Sequence, residues 1–217
     1  MKNLYVFSGL GADERVFYKI DFSNYHVHFI KWITPQKNES MENYAQRLIL
    51  QITDLKPILV GLSFGGMMAV EVAKHIDTEK IILISSAKCK KEIPYYFRLA
   101  GKMRLANIIP ATALIRMNVF TNWFFSNRTP QDKKLLSAVL HDTDAIFLKW
   151  AILKIANWQN IIVPNNVYHI HGTVDRILPF KFINCNHVIK GGAHLMIVSS
   201  AKEVNTIMRK AIESPKG

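Results

Sequence analysis

Apolar positions along the chain follow two rhythms in alternation. Short runs at residues 4–7, 25–30, 57–60 and 80–85 have the length and composition of buried strands. Between them, residues 41–53 place Tyr44, Leu48 and Ile52 at helical spacing behind Ser40 as an N-cap, and residues 64–75 form a second helical stretch. Strand alternating with helix predicts a parallel sheet covered on both faces. The alternation breaks at Lys88. From there to Trp158 no strand pattern recurs, and helices are predicted over 94–107, 111–122, 130–141 and 144–156. Thr129-Pro130-Gln131-Asp132 has the form of a helix start, and Thr143 is the predicted cap of the last of these helices. Strands resume at 166–170 and 186–190, and a helix is predicted over 199–212. The expected fold class is α/β. About six mostly parallel strands should carry helices on both faces, with residues 1–87 and 161–217 as the core and 88–160 as an inserted helical cap.

Composition narrows the class. With 217 residues and a hydrophobic fraction of 49%, the chain can build one compact domain with an insertion, and it is far from a disordered composition. No apolar run reaches membrane-spanning length, and the run at 4–7 is too short for a signal-peptide core, so a cytoplasmic protein is expected. Two cysteines, Cys89 and Cys185, make neither a disulfide framework nor a metal cluster. Net charge is +12, and residues 88–160 hold 12 Lys+Arg against 4 Asp+Glu, a local +8 in one third of the chain. That field attracts anionic partners such as nucleic acid, a membrane surface or an acidic carrier protein; the plain alternative is a solvated basic surface. The same stretch holds 10 of the 23 aromatic residues, which suits a lid packed over strand ends with a few rings lining a pocket.

Candidate chemistry centres on Gly61-Leu62-Ser63-Phe64-Gly65-Gly66, between a predicted strand and a predicted helix. In that setting a G-x-S-x-G serine sits on a sharp turn with its Oγ beyond the sheet edge. The alternative is an ordinary turn with Ser63 as a helix N-cap. Other residues offer weaker readings. Ser8-Gly9-Leu10-Gly11 lacks the third glycine of a dinucleotide fingerprint, because position 14 is Glu14. Asp13 and Glu14 are either polar site residues or the cap of a following helix. The pairs His26/His28 and His169/His171 each share one strand face but lack the further ligands a metal needs. Cys89, beside Lys88, Lys90 and Lys91, has no histidine motif next to it.

Taken together the motifs resemble those of the α/β-hydrolase fold superfamily over essentially the whole chain. His171-Gly172-Thr173-Val174-Asp175 with Pro179 resembles that family's acid loop, and Gly192-Ala193-His194 its histidine loop. The order Ser63, Asp175, His194 is the family's order. The resemblance implies a catalytic triad of these three residues and an oxyanion hole from the backbone N–H groups of Phe64 and Leu10, with no cofactor and no metal. Ser8-Gly9 departs from the family's usual His-Gly and leaves the support of that hole undefined. The implied function is a serine hydrolase acting on an ester or thioester with an apolar acyl group, the acyl chain arriving free, on CoA or on an acidic carrier. A binding protein on the same scaffold that does not turn over is the second hypothesis. A nucleic-acid or membrane binder ranks last, since neither an RNA-binding nor a helix-turn-helix motif is found.

Overall fold

The computed structural model describes residues 1–103 and 129–214. The helix expected over 111–122 and the end of that expected over 94–107 lie outside the described residues, as do Trp123, Phe124 and Phe125. Six strands form one sheet: β1 (Lys2–Phe7), β2 (Tyr25–Phe29), β3 (Ile58–Leu62), β4 (Lys80–Ile84), β5 (Val167–Gly172) and β6 (His187–Ile189). Their order is β2-β1-β3-β4-β5-β6 and every pairing is parallel. After β1 the chain goes to one side for β2, then returns to the other for β3. At such a reversal neighbouring loops part and leave a crevice beyond the carboxyl ends of the strands.

Strand periodicity sorts the core into two layers. Leu4, Val6, Ile58, Val60, Leu62, Ile82, Ile84 and Ile170 face one cluster, whereas Tyr5, Phe7, Leu59, Ile81 and Leu83 face the other. The first layer is covered by α6 (Met196–Ser199) and α7 (Ala201–Glu213). The second is covered by α1 (Met41–Leu48) and α2 (Phe64–Val72). The central strands β3 and β4 are buried on both faces and almost wholly apolar, whereas the edge strand β2 alternates exposed histidines with half-buried apolar residues.

Between β4 and β5 the described helices are α3 (Tyr95–Lys102), α4 (Pro130–His141) and α5 (Ala145–Ala156). Val139 of α4 joins the first apolar layer, and Phe147, Trp150 and Ala151 of α5 join the second. The chain therefore passes from one side of the sheet to the other at residues 142–144. Arg15, a short way past the carboxyl end of β1, pairs with Asp142 at 2.7 Å, so the crossing lies over the carboxyl edge. Tyr18 and Lys19 hold Asp132 at the other end of α4.

Local expectations were refined at three helix ends. Thr129 caps α4 as expected, its Oγ1 accepting from the Asp132 N–H at 3.2 Å. The cap of α5 is Asp144 rather than Thr143: the Asp144 carboxylate accepts from the Ile146 and Phe147 amides, and the Thr143 hydroxyl donates back to the Val139 carbonyl. A carboxylate at a helix N-terminus also gains from the dipole, which a hydroxyl does not. The C-terminal helix is broken at Ser200 (φ −129°, ψ 31°) into α6 and α7. No helix among the described residues is long and apolar enough to cross a membrane.

Candidate active site

β3 ends at Leu62 and α2 begins at Phe64, leaving Ser63 alone to turn the chain. It does so at φ 52°, ψ −120°, a conformation that costs an L-residue on the order of 1–3 kcal/mol unless its surroundings enforce it. They do. The Ser63 N–H donates to the Ile84 carbonyl at 2.9 Å, and the Ser63 carbonyl accepts from the Gly66 N–H at 2.9 Å and from the Ser86 hydroxyl at 2.6 Å. Packing admits no side chain on either flank. A Cβ on Gly61 would stand 2.4 Å from the Gly66 Cα, and one on Gly65 2.3 Å from the carbonyl oxygens of Phe7 and Ser8.

Ser63 occupies the N-cap position of α2, yet its side chain makes no capping bond. Its Oγ lies instead 2.8 Å from Nε2 of His194. The other ring nitrogen, Nδ1, lies 2.8 Å from Oδ2 of Asp175. An ionised carboxylate only accepts, so the imidazole proton sits on Nδ1 and Nε2 presents a lone pair to the serine hydroxyl. The capping alternative fails on this geometry, and the three residues form one continuous hydrogen-bonded chain.

Asp175 is buried. Burial alone would push its carboxyl up, but His194 and, less strongly, His171 and the Leu178 amide hold it below the ordinary carboxylate range. Oδ1 accepts from the Ile177 and Leu178 N–H groups at 2.8 and 2.9 Å, a side-chain turn that fixes the carboxylate's orientation. His171 donates from Nε2 to the Leu178 carbonyl at 2.9 Å and stands beneath the loop. With that proton placed, its Nδ1 faces Nε2 of His169 at 3.4 Å. Burial lowers both histidines below their usual value, His169 strongly, so this pair is a neutral structural element.

The acid and histidine loops are fastened to each other. The Val174 N–H donates to the Gly192 carbonyl at 3.0 Å and the Thr173 N–H to the Ile189 carbonyl at 3.1 Å. A Cβ on Gly172 would come within 2.1 Å of the Gly192 oxygen, so the loops touch backbone to backbone. A Cβ on Gly9 would lie 3.6 Å from that of Ser63, so the loop after β1 passes beside the serine. Phe64 opens α2, and first-turn amides have no acceptor within their own helix.

The remaining candidates sort as polar packing. Asp13 caps the short helical turn Glu14–Phe17 and pairs with Arg15, and Glu14 pairs with Lys31. His26 and His28 are exposed on the edge strand β2, where His28 stacks on Tyr5. No cluster of metal-ligand type occurs among the described residues. Two contributors escape sequence reasoning. Ser86 braces the serine turn, and Trp32 packs beside Phe64 with ring centroids 5.4 Å apart. Neither sits in a local motif; the only hint for Ser86 is that it follows the end of a strand.

No family model and no curated protein matches the chain. Solved structures do. An esterase from Exiguobacterium antarcticum aligns with a TM-score of 0.72 at 14% identity, covering 99% of this chain and 92% of its own. The enol-lactonase from Burkholderia xenovorans LB400 aligns at 0.73 with 16% identity, covering 98% and 92%. A bromoperoxidase from Bacillus anthracis aligns at 0.71 with 16% identity over the same shares. The chain has the α/β-hydrolase fold.

Proposed function

We propose that the protein is a serine hydrolase that cleaves carboxylic esters or thioesters with an apolar acyl group through an acyl-enzyme. The observation that carries this reading is the unbroken chain from Ser63 Oγ through His194 to Asp175, with 2.8 Å at each of its two links. A serine hydroxyl at neutral pH is a poor nucleophile without a base in hydrogen-bond reach, and His194 Nε2 meets that requirement. In the first step Oγ attacks the acyl carbon as its proton passes to Nε2. Asp175 accepts from Nδ1 throughout and stabilises the imidazolium without taking the proton. The amides of Phe64 and Leu10 would receive the oxyanion. Collapse expels the alcohol or thiol with the proton from His194. Water then repeats the sequence on the acyl-serine and regenerates the hydroxyl.

Residues 88–160 act in this reading as a cap, which the crossing at residues 142–144 over the carboxyl edge supports. The aromatic content of that stretch favours an apolar acyl group, and its local +8 favours an anionic carrier such as CoA or an acidic protein. Esterase and lactonase neighbours agree with ester cleavage at the level of the fold.

The direct test is a fluorophosphonate probe read by intact mass on the wild type beside Ser63→Ala. A single adduct on the wild type alone is expected. Absence of label on both proteins would favour the non-hydrolytic binding alternative. For the carrier, kcat/KM on CoA-bound and free acyl esters should differ and converge as salt rises; equal, salt-independent values would remove the carrier from the proposal.

A further inference from the structure

We infer that Ser8 and Trp32 are positioning residues of the oxyanion hole. The inference rests on the hydrolase reading above. Ser8 is buried at the end of β1, and its hydroxyl is used twice. It accepts the indole N–H of Trp32 at 2.9 Å and donates to the Ala12 carbonyl at 2.7 Å. The Ala12 N–H closes the same loop onto the Gly9 carbonyl at 3.2 Å, and Gly11 supplies the positive φ of 67° that the turn needs. Leu10 is thus held inside a turn bonded at both ends. An indole N–H only donates, so it takes a lone pair of the Ser8 hydroxyl and leaves that hydroxyl's single proton for the Ala12 carbonyl.

Trp32 also meets the other half of the hole. Its ring lies 5.4 Å from that of Phe64, whose amide is the second proposed donor, and stacks at 5.3 Å and 26° on Phe147 of α5. Phe7 and Tyr44 also lie beside it, with ring centroids at 6.5 and 6.4 Å. One indole therefore bonds the Leu10 loop through its N–H and abuts the Phe64 ring at a tilt of 46°. A flexible side chain could do neither, because a donor caged among four rings has few rotamers left. The contact with Phe147 extends this linkage to the inserted helices.

Trp32→Phe keeps an aromatic ring but removes the donor together with part of the ring volume; Ser8→Ala removes the hub; Ser8→Thr keeps the hydroxyl. Each would be assayed for kcat and KM on a short p-nitrophenyl ester and for inhibition by a trifluoromethyl ketone, which adds to Ser63 and places an oxyanion in the hole. Deleting one oxyanion donor costs about 10²–10³ in kcat, so loosening one should cost about 10- to 100-fold. The expected result is that loss in kcat for Trp32→Phe and Ser8→Ala, KM little changed, and ketone affinity weakened by the same factor. The double variant should be no worse than the poorer single, and Ser8→Thr should recover most of the activity. Full activity in both single variants would overturn the inference, as would losses that multiply or a change confined to KM. A wild type that neither labels nor turns over ends the hydrolase reading and this one with it; an active wild type matched by both variants ends this one alone.

Discussion

Replacing Asp175 by Asn tests the proton placement more sharply than deleting the side chain would. The two oxygens of Asp175 have different partners, and the difference fixes how an amide would sit. Oδ1 accepts two backbone N–H groups, so the amide oxygen must take that place; the opposite orientation would set an NH2 against two donors and lose two hydrogen bonds of about 1 kcal/mol each. The NH2 then faces Nδ1 of His194 where Oδ2 stood at 2.8 Å. A donor in that place requires Nδ1 to accept, which moves the imidazole proton to Nε2 and turns it toward Ser63. The base is then absent while the packing is nearly unchanged. The same exchange in a serine protease triad lowers kcat about 10⁴-fold, which at 1.36 kcal/mol per decade is about 5.5 kcal/mol of barrier. Steady-state hydrolysis of a p-nitrophenyl ester at pH 8, with fluorophosphonate labelling rates in parallel, measures it. A loss below about tenfold in a variant with wild-type circular dichroism would refute both the tautomer and the role of Asp175.

Two further outcomes are expected. His169 and His171 are held neutral by burial, so the unfolded chain takes up protons that the folded one refuses once pH falls below their usual value of 6.5. Their contribution is intact above that value and is lost progressively as pH falls below it, at up to about 1.4 kcal/mol per pH unit for each proton the folded state refuses. Urea unfolding at pH 8, 6 and 5 should show the decline and His169→Gln should flatten it; constant stability over this range would refute the assignment. Gly65→Ala drives a Cβ into the carbonyl oxygens of Phe7 and Ser8 at 2.3 Å, both backbone atoms that cannot swing aside. It should destabilise by about 1–3 kcal/mol and slow labelling of Ser63; wild-type melting and labelling would show that the end of β1 yields freely.

What could be read from the sequence was whatever is local. The serine turn, the acid loop and the histidine loop each occupy a few consecutive residues after a strand, and the fold follows from the alternation of strand and helix. What stayed hidden depends on residues that meet only in three dimensions. Ser8 and Trp32 come together because β1 and β2 run parallel and end side by side, and nothing in the spacing of an isolated serine and tryptophan announces it. Asp144 took the cap expected of Thr143 because both are capping residues, and only the register of α5 on its apolar face decides between them. The short helix α6 ahead of Ser200 is equally silent, since its four residues are too few to show a helical period.

The pairing of β4 with β5 has a bearing on how the chain matures. These strands lie next to each other in the sheet although residues 85–166 separate them in sequence. Loop-closure entropy grows only logarithmically, so doubling that segment would add about 0.6 kcal/mol to the free energy of joining them. Asp175 and His194 both lie beyond the second of these strands, whereas Ser63 lies before the first. On the proposed mechanism, a chain whose late strands have not docked holds no base for Ser63, so recovery of activity after dilution from denaturant should not precede the docking of β5 and β6.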